Sequence, residues 1–104
     1  MAKAERKRTE KQTPARRKRR VQFAFEAPQA KDVKVTGSFC GWQEGYAMKK
    51  DSEGLWKTSV LLEPGRHEYR FLVDGEWRND PRASERVRNE FGSENDVLEV
   101  AGGR

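Results

Sequence analysis

Pro64-Gly65-Arg66-His67-Glu68-Tyr69-Arg70-Phe71-Leu72-Val73-Asp74-Gly75-Glu76-Trp77 is the stretch on which the fold turns. Pro64-Gly65 makes a turn, because proline presets φ and glycine tolerates a positive φ. His67, Tyr69, Phe71 and Val73 then alternate with Arg66, Glu68, Arg70 and Leu72, the period of two that gives a strand two different faces. Asp74-Gly75 is a two-residue hairpin signal, and the chain resumes as a short strand around Trp77.

The same pattern extends to both sides. Phe23 and Phe25 alternate with Gln22, Ala24 and Glu26 as a first strand, and Val33-Lys34-Val35-Thr36 is a second that stops at Gly37. Asp51-Ser52-Glu53-Gly54 introduces a longer strand, Leu55–Leu62, and Asp96–Val100 closes the series. Residues 82–90 have room for one helical turn but are mostly polar, and no other segment has a helical period of useful length. Short strands with regular turn signals define an all-β chain folded as an antiparallel sandwich. A body of about 80 residues buries little surface, so its core must be rich in aromatic residues. Phe23, Phe25, Val33, Val35, Trp56, Val60, Leu62, Tyr69, Phe71, Val73, Val97 and Val100 are the expected core.

Charge divides the 104 residues unevenly. Residues 1–20 carry ten Lys/Arg against two Glu, whereas residues 21–104 carry 12 basic and 15 acidic side chains. The net +5 is therefore a property of the tail, and the body is mildly acidic. A segment so poor in apolar groups cannot offset its ordering entropy, so residues 1–20 are expected to form a disordered basic tail, 21–100 the folded body and 101–104 a frayed end. The chain lacks the run of about 18 apolar residues that a membrane span needs. Val21–Glu26 is too short for a signal-peptide core, and the paired arginines Arg16-Arg17 and Arg19-Arg20 lack the apolar stretch of a twin-arginine leader. Cys40 is the single cysteine and has no internal partner, which fits a cytoplasmic protein.

The tryptophans separate by position. Trp56 lies mid-strand in an apolar run and belongs to the core. Trp42 closes Gly37-Ser38-Phe39-Cys40-Gly41-Trp42, and Trp77 follows the Asp74-Gly75 turn, so both sit at turns among glycine and polar residues. Two flat aromatic faces at turns suit a ligand with apolar faces and a hydroxylated rim, as a glucan has. Hiding on the order of 80–100 Å² of sugar C–H surface under an indole stabilises by roughly 2 kcal/mol. Association costs offset much of that gain, which leaves dissociation constants in the micromolar to millimolar range.

The ordered set Gly37-Ser38-Phe39 with Trp42, Pro64-Gly65 with His67, Tyr69-Arg70-Phe71, Val73-Asp74-Gly75 with Trp77, Asp80-Pro81 and Asn95 resembles carbohydrate-binding module family 48. That family includes the glycogen-binding domain of the AMP-activated protein kinase beta subunit and the early-set domains of glycogen branching and debranching enzymes. The resemblance covers roughly residues 21–100. It implies an immunoglobulin-like, early-set β-sandwich that binds α-1,4-linked glucans such as glycogen, starch, maltooligosaccharides and cyclodextrins. It places the stacking tryptophans at Trp42 and Trp77 and a basic hydroxyl-binding residue at Arg70. A hydrophobic residue that packs beside the sugar chain falls at Phe91, a small hydroxyl residue at Ser93 and a sugar-binding amide at Asn95. Five positions depart from the kinase-type pattern: Cys40-Gly41 stands in place of polar amides, Arg70 in place of Lys, Phe91 in place of Leu and Glu94 in place of an apolar residue.

Catalysis has little footing. His67 shares the alternation of Tyr69 and Phe71, which marks packing. Cys40 has no histidine near it in sequence, although it lies close enough to Trp42 to line the site. Asp74, Glu76 and Asp80 invite comparison with a glycosidase carboxylate pair, but a hairpin turn accounts for Asp74 and a pre-proline turn for Asp80. No metal or nucleotide motif is present, so no cofactor is expected. A protein-interaction scaffold related to kinase beta subunits, with a partner in glycogen metabolism, is a second reading. A third is nucleic-acid or other polyanion binding through residues 1–20, which lack interleaved aromatics for base stacking.

Overall fold

A computed structural model describes residues 18–102, so the tail reading for residues 1–17 and the end at 103–104 lie outside the described residues. Nine strands follow in order: β1 (Arg19–Glu26), β2 (Val33–Gly37), β3 (Tyr46–Ala47), β4 (Lys49–Lys50), β5 (Leu55–Leu62), β6 (Gly65–Val73), β7 (Glu76–Arg78), β8 (Arg86–Arg88) and β9 (Glu94–Val100). A 3-10 turn, Ser38–Cys40, follows β2. No helix of the described residues is long and apolar enough to cross a membrane.

The longest strand, β6, organises the larger sheet. It pairs with β2 along one edge, from Val33↔Val73 to Gly37↔Tyr69. Its other edge is shared, with β9 against Gly65–Tyr69 and β7 against Phe71–Val73. β3 extends the sheet beyond β2 and β8 extends it beyond β9. The smaller sheet has the order β1-β5-β4, and β1 and β5 pair in antiparallel register over eight residues, from Arg19↔Leu62 to Glu26↔Leu55. The result is an antiparallel β-sandwich, as expected.

The sheets meet through aromatic rings. Phe25 lies 4.9 Å from Phe71 and Phe23 lies 5.2 Å from Tyr69, centroid to centroid, the second pair edge-on. Such pairs add about 0.5–1.5 kcal/mol each to their area burial. Phe71, Val33 and Val35 are fully enclosed. Trp56 is buried as expected, and its indole N–H donates to the Ala27 carbonyl at 2.8 Å, which removes the penalty of burying that group. Ala30 and Met48 join the core as well.

Several expectations need correction. The first strand starts at Arg19, inside the stretch assigned to the tail, because both arginines continue the ladder opposite Leu62 and Leu61. Residues 82–90 carry no helical turn; Arg86–Arg88 is a strand, drawn into the sheet by pairing with β9. Val97 and Val100 are both buried, as expected, but residues three apart on a strand face opposite ways. Val100, with Leu98, reaches the space between the sheets, while Val97 is buried outside that cluster, opposite Glu68.

A buried polar network ties β6, β8 and β9 of the larger sheet to the segment that follows β7. The fully enclosed Asp96 carboxylate accepts from the Asp80 backbone N–H (2.7 Å), Asn79 Nδ2 (3.2 Å) and Arg86 Nε (2.9 Å). Asp80 in turn accepts from the Tyr69 hydroxyl at 2.6 Å and from the Arg82 backbone N–H at 2.9 Å. Burial, with the Asp80 hydrogen bond second, holds the Tyr69 phenol far above its ordinary pKa. Asp96→Ala would leave three donors unpaired and should cost about 3–5 kcal/mol, read from urea unfolding. Tyr69 also sets an alkaline limit. Its folded pKa exceeds its unfolded one, so its contribution is complete below the unfolded value of 10.0 and declines as pH rises beyond it. The stability gap between wild type and Tyr69→Phe should therefore hold up to about pH 10 and narrow above it, measured by denaturant titration at each pH.

Candidate functional site

Three connections around the outer face of the larger sheet carry the aromatic residues of the site, and each is fixed by a small polar side chain. After β2, Gly37 passes so close to β6 that a Cβ there would lie 2.2 Å from the Glu68 carbonyl, so only glycine fits. Ser38 Oγ then accepts from the Glu68 N–H at 3.1 Å and donates to the Glu68 carbonyl at 3.4 Å, continuing the ladder with a side chain. Phe39 leans on Phe23 at 5.9 Å and on the edge of His67 at 6.2 Å. The turn closes when the Trp42 N–H donates to the Gly37 carbonyl at 2.9 Å. Gly41 and Trp42 are both left-handed, with φ of 65° and 60°. For tryptophan that conformation costs roughly 1–2 kcal/mol, and such strain gathers at functional sites.

The second loop is the β6–β7 hairpin. Asp74 and Gly75 both have positive φ (49° and 84°), as a type I′ turn requires. Asp74 Oδ1 accepts from the Lys31 and Asp32 backbone N–H groups at 2.9 and 2.8 Å, and the Asp74 N–H donates to the Asp32 carbonyl at 2.7 Å. The hairpin is thereby tied to the β1–β2 loop, and Trp77 is set beside Leu72. The third loop joins β8 to β9. Asn89 Oδ1 accepts from the N–H groups of Phe91 (2.9 Å) and Ser93 (3.0 Å), and Gly92 turns the chain at φ 83°. Phe91 projects from its tip, 84 % exposed.

These loops and the outer face of β6 enclose one open cavity of about 600 Å³, lined by Trp42, Glu68, Arg70, Trp77, Asn89, Glu90, Phe91, Ser93 and Asn95. All six site residues expected from the sequence meet there. The indoles of Trp42 and Trp77 lie 6.3 Å apart and inclined by 66°, and they are 37 % and 48 % exposed. Arg70 rises from the outer face of β6 and lays its guanidinium over the Trp77 ring, Cζ 5.6 Å from the centroid. Its Nε is buried without a hydrogen-bond partner among the described residues.

Asn95 differs from the simple picture of a free sugar-binding amide. It is buried on β9, Nδ2 donates to Glu68 Oε1 at 3.0 Å and Oδ1 accepts from Asn89 Nδ2 at 3.1 Å. One amide hydrogen remains for a ligand. Glu68, Asn89 and Glu90 were not singled out from the sequence. Glu68 was detectable as the outer-face neighbour of Arg70 two residues away, and Asn89 as the start of an Asn-Glu-Phe-Gly turn signal. Cys40 does not line the cavity: its Sγ lies 3.3 Å from Thr36 Oγ1 and 3.5 Å from the Gly37 carbonyl. His67 Nε2 is engaged at 2.7 Å with the Glu63 carbonyl, on the side away from the tryptophans.

An inclined aromatic wall with amide and guanidinium groups at its foot, on the outer face of a small β-sandwich, is the architecture of a carbohydrate-binding module. The family model described as the glycogen recognition site of AMP-activated protein kinase matches residues 19–103, and the chain belongs to that family. Protein FLOURY ENDOSPERM 6, chloroplastic, of Oryza sativa subsp. japonica is 40 % identical over 82 residues, covering 79 % of this chain and 15 % of that protein. Protein PTST homolog 2, chloroplastic, of Arabidopsis thaliana is 39 % identical over 72 residues, covering 69 % and 13 %. The 5'-AMP-activated protein kinase subunit beta-1 of Sus scrofa is 33 % identical over 70 residues, covering 67 % and 55 %. The chain thus spans a small part of the two plant relatives and about half of the kinase subunit.

Asn89 is the residue on which the third loop depends. Asn89→Ala removes the acceptor for two backbone N–H groups and the donor to Asn95. It should lower stability by about 1–2 kcal/mol and speed amide hydrogen exchange at Phe91 and Ser93 by NMR, with exchange in β5 following only the global change.

Proposed function

We infer that the cavity binds α-1,4-linked glucans (glycogen, starch, maltooligosaccharide or cyclodextrin) and that the protein does so without catalysing a reaction on them. The observation that carries this reading is the pair of exposed indoles, 6.3 Å apart and inclined by 66°, opening onto the same cavity as Arg70, Phe91, Ser93 and Asn95. Trp42 and Trp77 stack on successive sugar faces, the inclination matching a curved chain. Arg70 and the remaining Asn95 amide hydrogen donate to ring hydroxyls, Ser93 adds a hydroxyl at the rim, and Phe91 packs beside the sugar chain. Membership in a glycogen-recognition family supports the choice of an α-glucan.

The carboxylates that could suggest hydrolysis have other work. Asp74 holds the hairpin through two backbone N–H groups, and Asp80 holds Tyr69 and the turn at Arg82. A binding module of this kind serves a larger function by bringing a partner or an attached domain to glycogen or starch. Its family relationship to a kinase beta subunit supports a regulatory setting.

The test is a titration with maltoheptaose or β-cyclodextrin followed by tryptophan fluorescence. Wild type should bind with a dissociation constant between about 1 μM and about 1 mM. Trp42→Ala and Trp77→Ala should each weaken binding by about ten- to thirtyfold, the loss of one stacked sugar. Stacking is insensitive to salt, so affinity should change less than about twofold between low and physiological salt, whereas attachment through the basic residues 1–20 would weaken steeply. No fluorescence change in wild type, or variants that both bind as tightly as wild type, would sink the glucan reading.

A further inference from the structure

Glu68 is a charged group in a cavity assigned to an uncharged ligand. It stands on the outer face of β6 two residues from Arg70 and lines the cavity with it. Its backbone is fixed at both its N–H and its carbonyl by Ser38, so the side chain leaves a rigid point. Oε1 is committed to Asn95 Nδ2 at 3.0 Å. Among the described residues no cation lies within ion-pairing distance of the carboxylate; of the two arginines two residues away, Arg66 pairs with Glu85 and Arg70 is drawn over Trp77. An ionised carboxylate with one oxygen tied down and the other unengaged accepts hydrogen bonds only. Glu90, from the third loop, adds a second acid to the same wall.

We propose that Glu68 is a sugar-contacting acceptor that makes this cavity select uncharged α-glucans over glucans carrying anionic substituents. The proposal rests on the glucan reading above and names which glucans the site takes. A hydroxyl can donate to Glu68 while a neighbouring hydroxyl accepts from Arg70, so two groups on one strand, an acceptor and a donor, read adjacent hydroxyls of one sugar. Adding a phosphate or carboxylate to that sugar removes the donor and sets two negative charges close together. At contact distances in a half-open site, screened by salt, that repulsion amounts to about a three- to tenfold loss of affinity.

The experiment uses the full chain at physiological salt and three probes: β-cyclodextrin, hydroxypropyl-β-cyclodextrin (bulky, neutral) and carboxymethyl-β-cyclodextrin (bulky, anionic). Dissociation constants are measured for wild type and Glu68→Gln, which keeps an oxygen to accept from Asn95. The quantity read is the ratio of the anionic to the bulky neutral constant. That ratio should be about three- to tenfold higher in wild type than in Glu68→Gln. The basic residues 1–20 attract anions equally in both proteins and cancel in the comparison. Equal ratios, with β-cyclodextrin bound by both proteins, overturn the role of Glu68 and leave the glucan reading intact. Failure of wild type to bind β-cyclodextrin overturns both.

Discussion

The alternation of β6 is the constraint on which core and site both depend. Tyr69, Phe71 and Val73 face the smaller sheet, while Glu68 and Arg70 face outward into the cavity. Register along β2, β7 and β9 is therefore also the register of the site. A slip of one residue would bury Glu68 and Arg70 between the sheets and carry Tyr69 and Phe71 into water, so the energy that packs Phe71 also enforces the position of Arg70. The binding face needs no specification apart from that of the core.

Where the backbone leaves the ladders, side chains take over. Ser38 continues the pairing of β2 with β6, Asp74 ties the β6–β7 hairpin to the preceding loop, and Asn89 closes the β8–β9 loop on itself. Each lies within four residues of an aromatic side chain of the site: Trp42, Trp77 and Phe91 respectively. Small polar residues that bond to backbone are the usual means of holding irregular chain. Here they hold three aromatic groups around one face of a sheet.

Much of this was readable from the chain. β5 runs over the residues expected, Leu55–Leu62, and β6, β7 and β9 differ by a residue or two at their ends, because period-two alternation and glycine turns are local signals. β3 and β4 escaped notice because two-residue strands have no period to detect. β8 escaped because Arg86-Val87-Arg88 has no apolar face of its own; its place is set by β9, across the sheet, and by Asp96, ten residues on. The site residues were legible by type and by resemblance, but their relations were not. That Asn95 is bonded at both ends of its amide, and that Glu68 shares its cavity, depend on the closure of the β8–β9 loop and on the pairing of β6 with β9, 27 residues apart at Glu68 and Asn95.

Two identical indoles at 6.3 Å with non-parallel planes are close enough for their excited states to couple. In a chiral arrangement, coupled transitions produce paired circular-dichroism bands of opposite sign. Trp56, enclosed between the sheets and bonded to Ala27, lies outside that pair. The geometry of the wall is thus written into the optical activity of the protein, where any change in the angle between the two rings can be followed without a label.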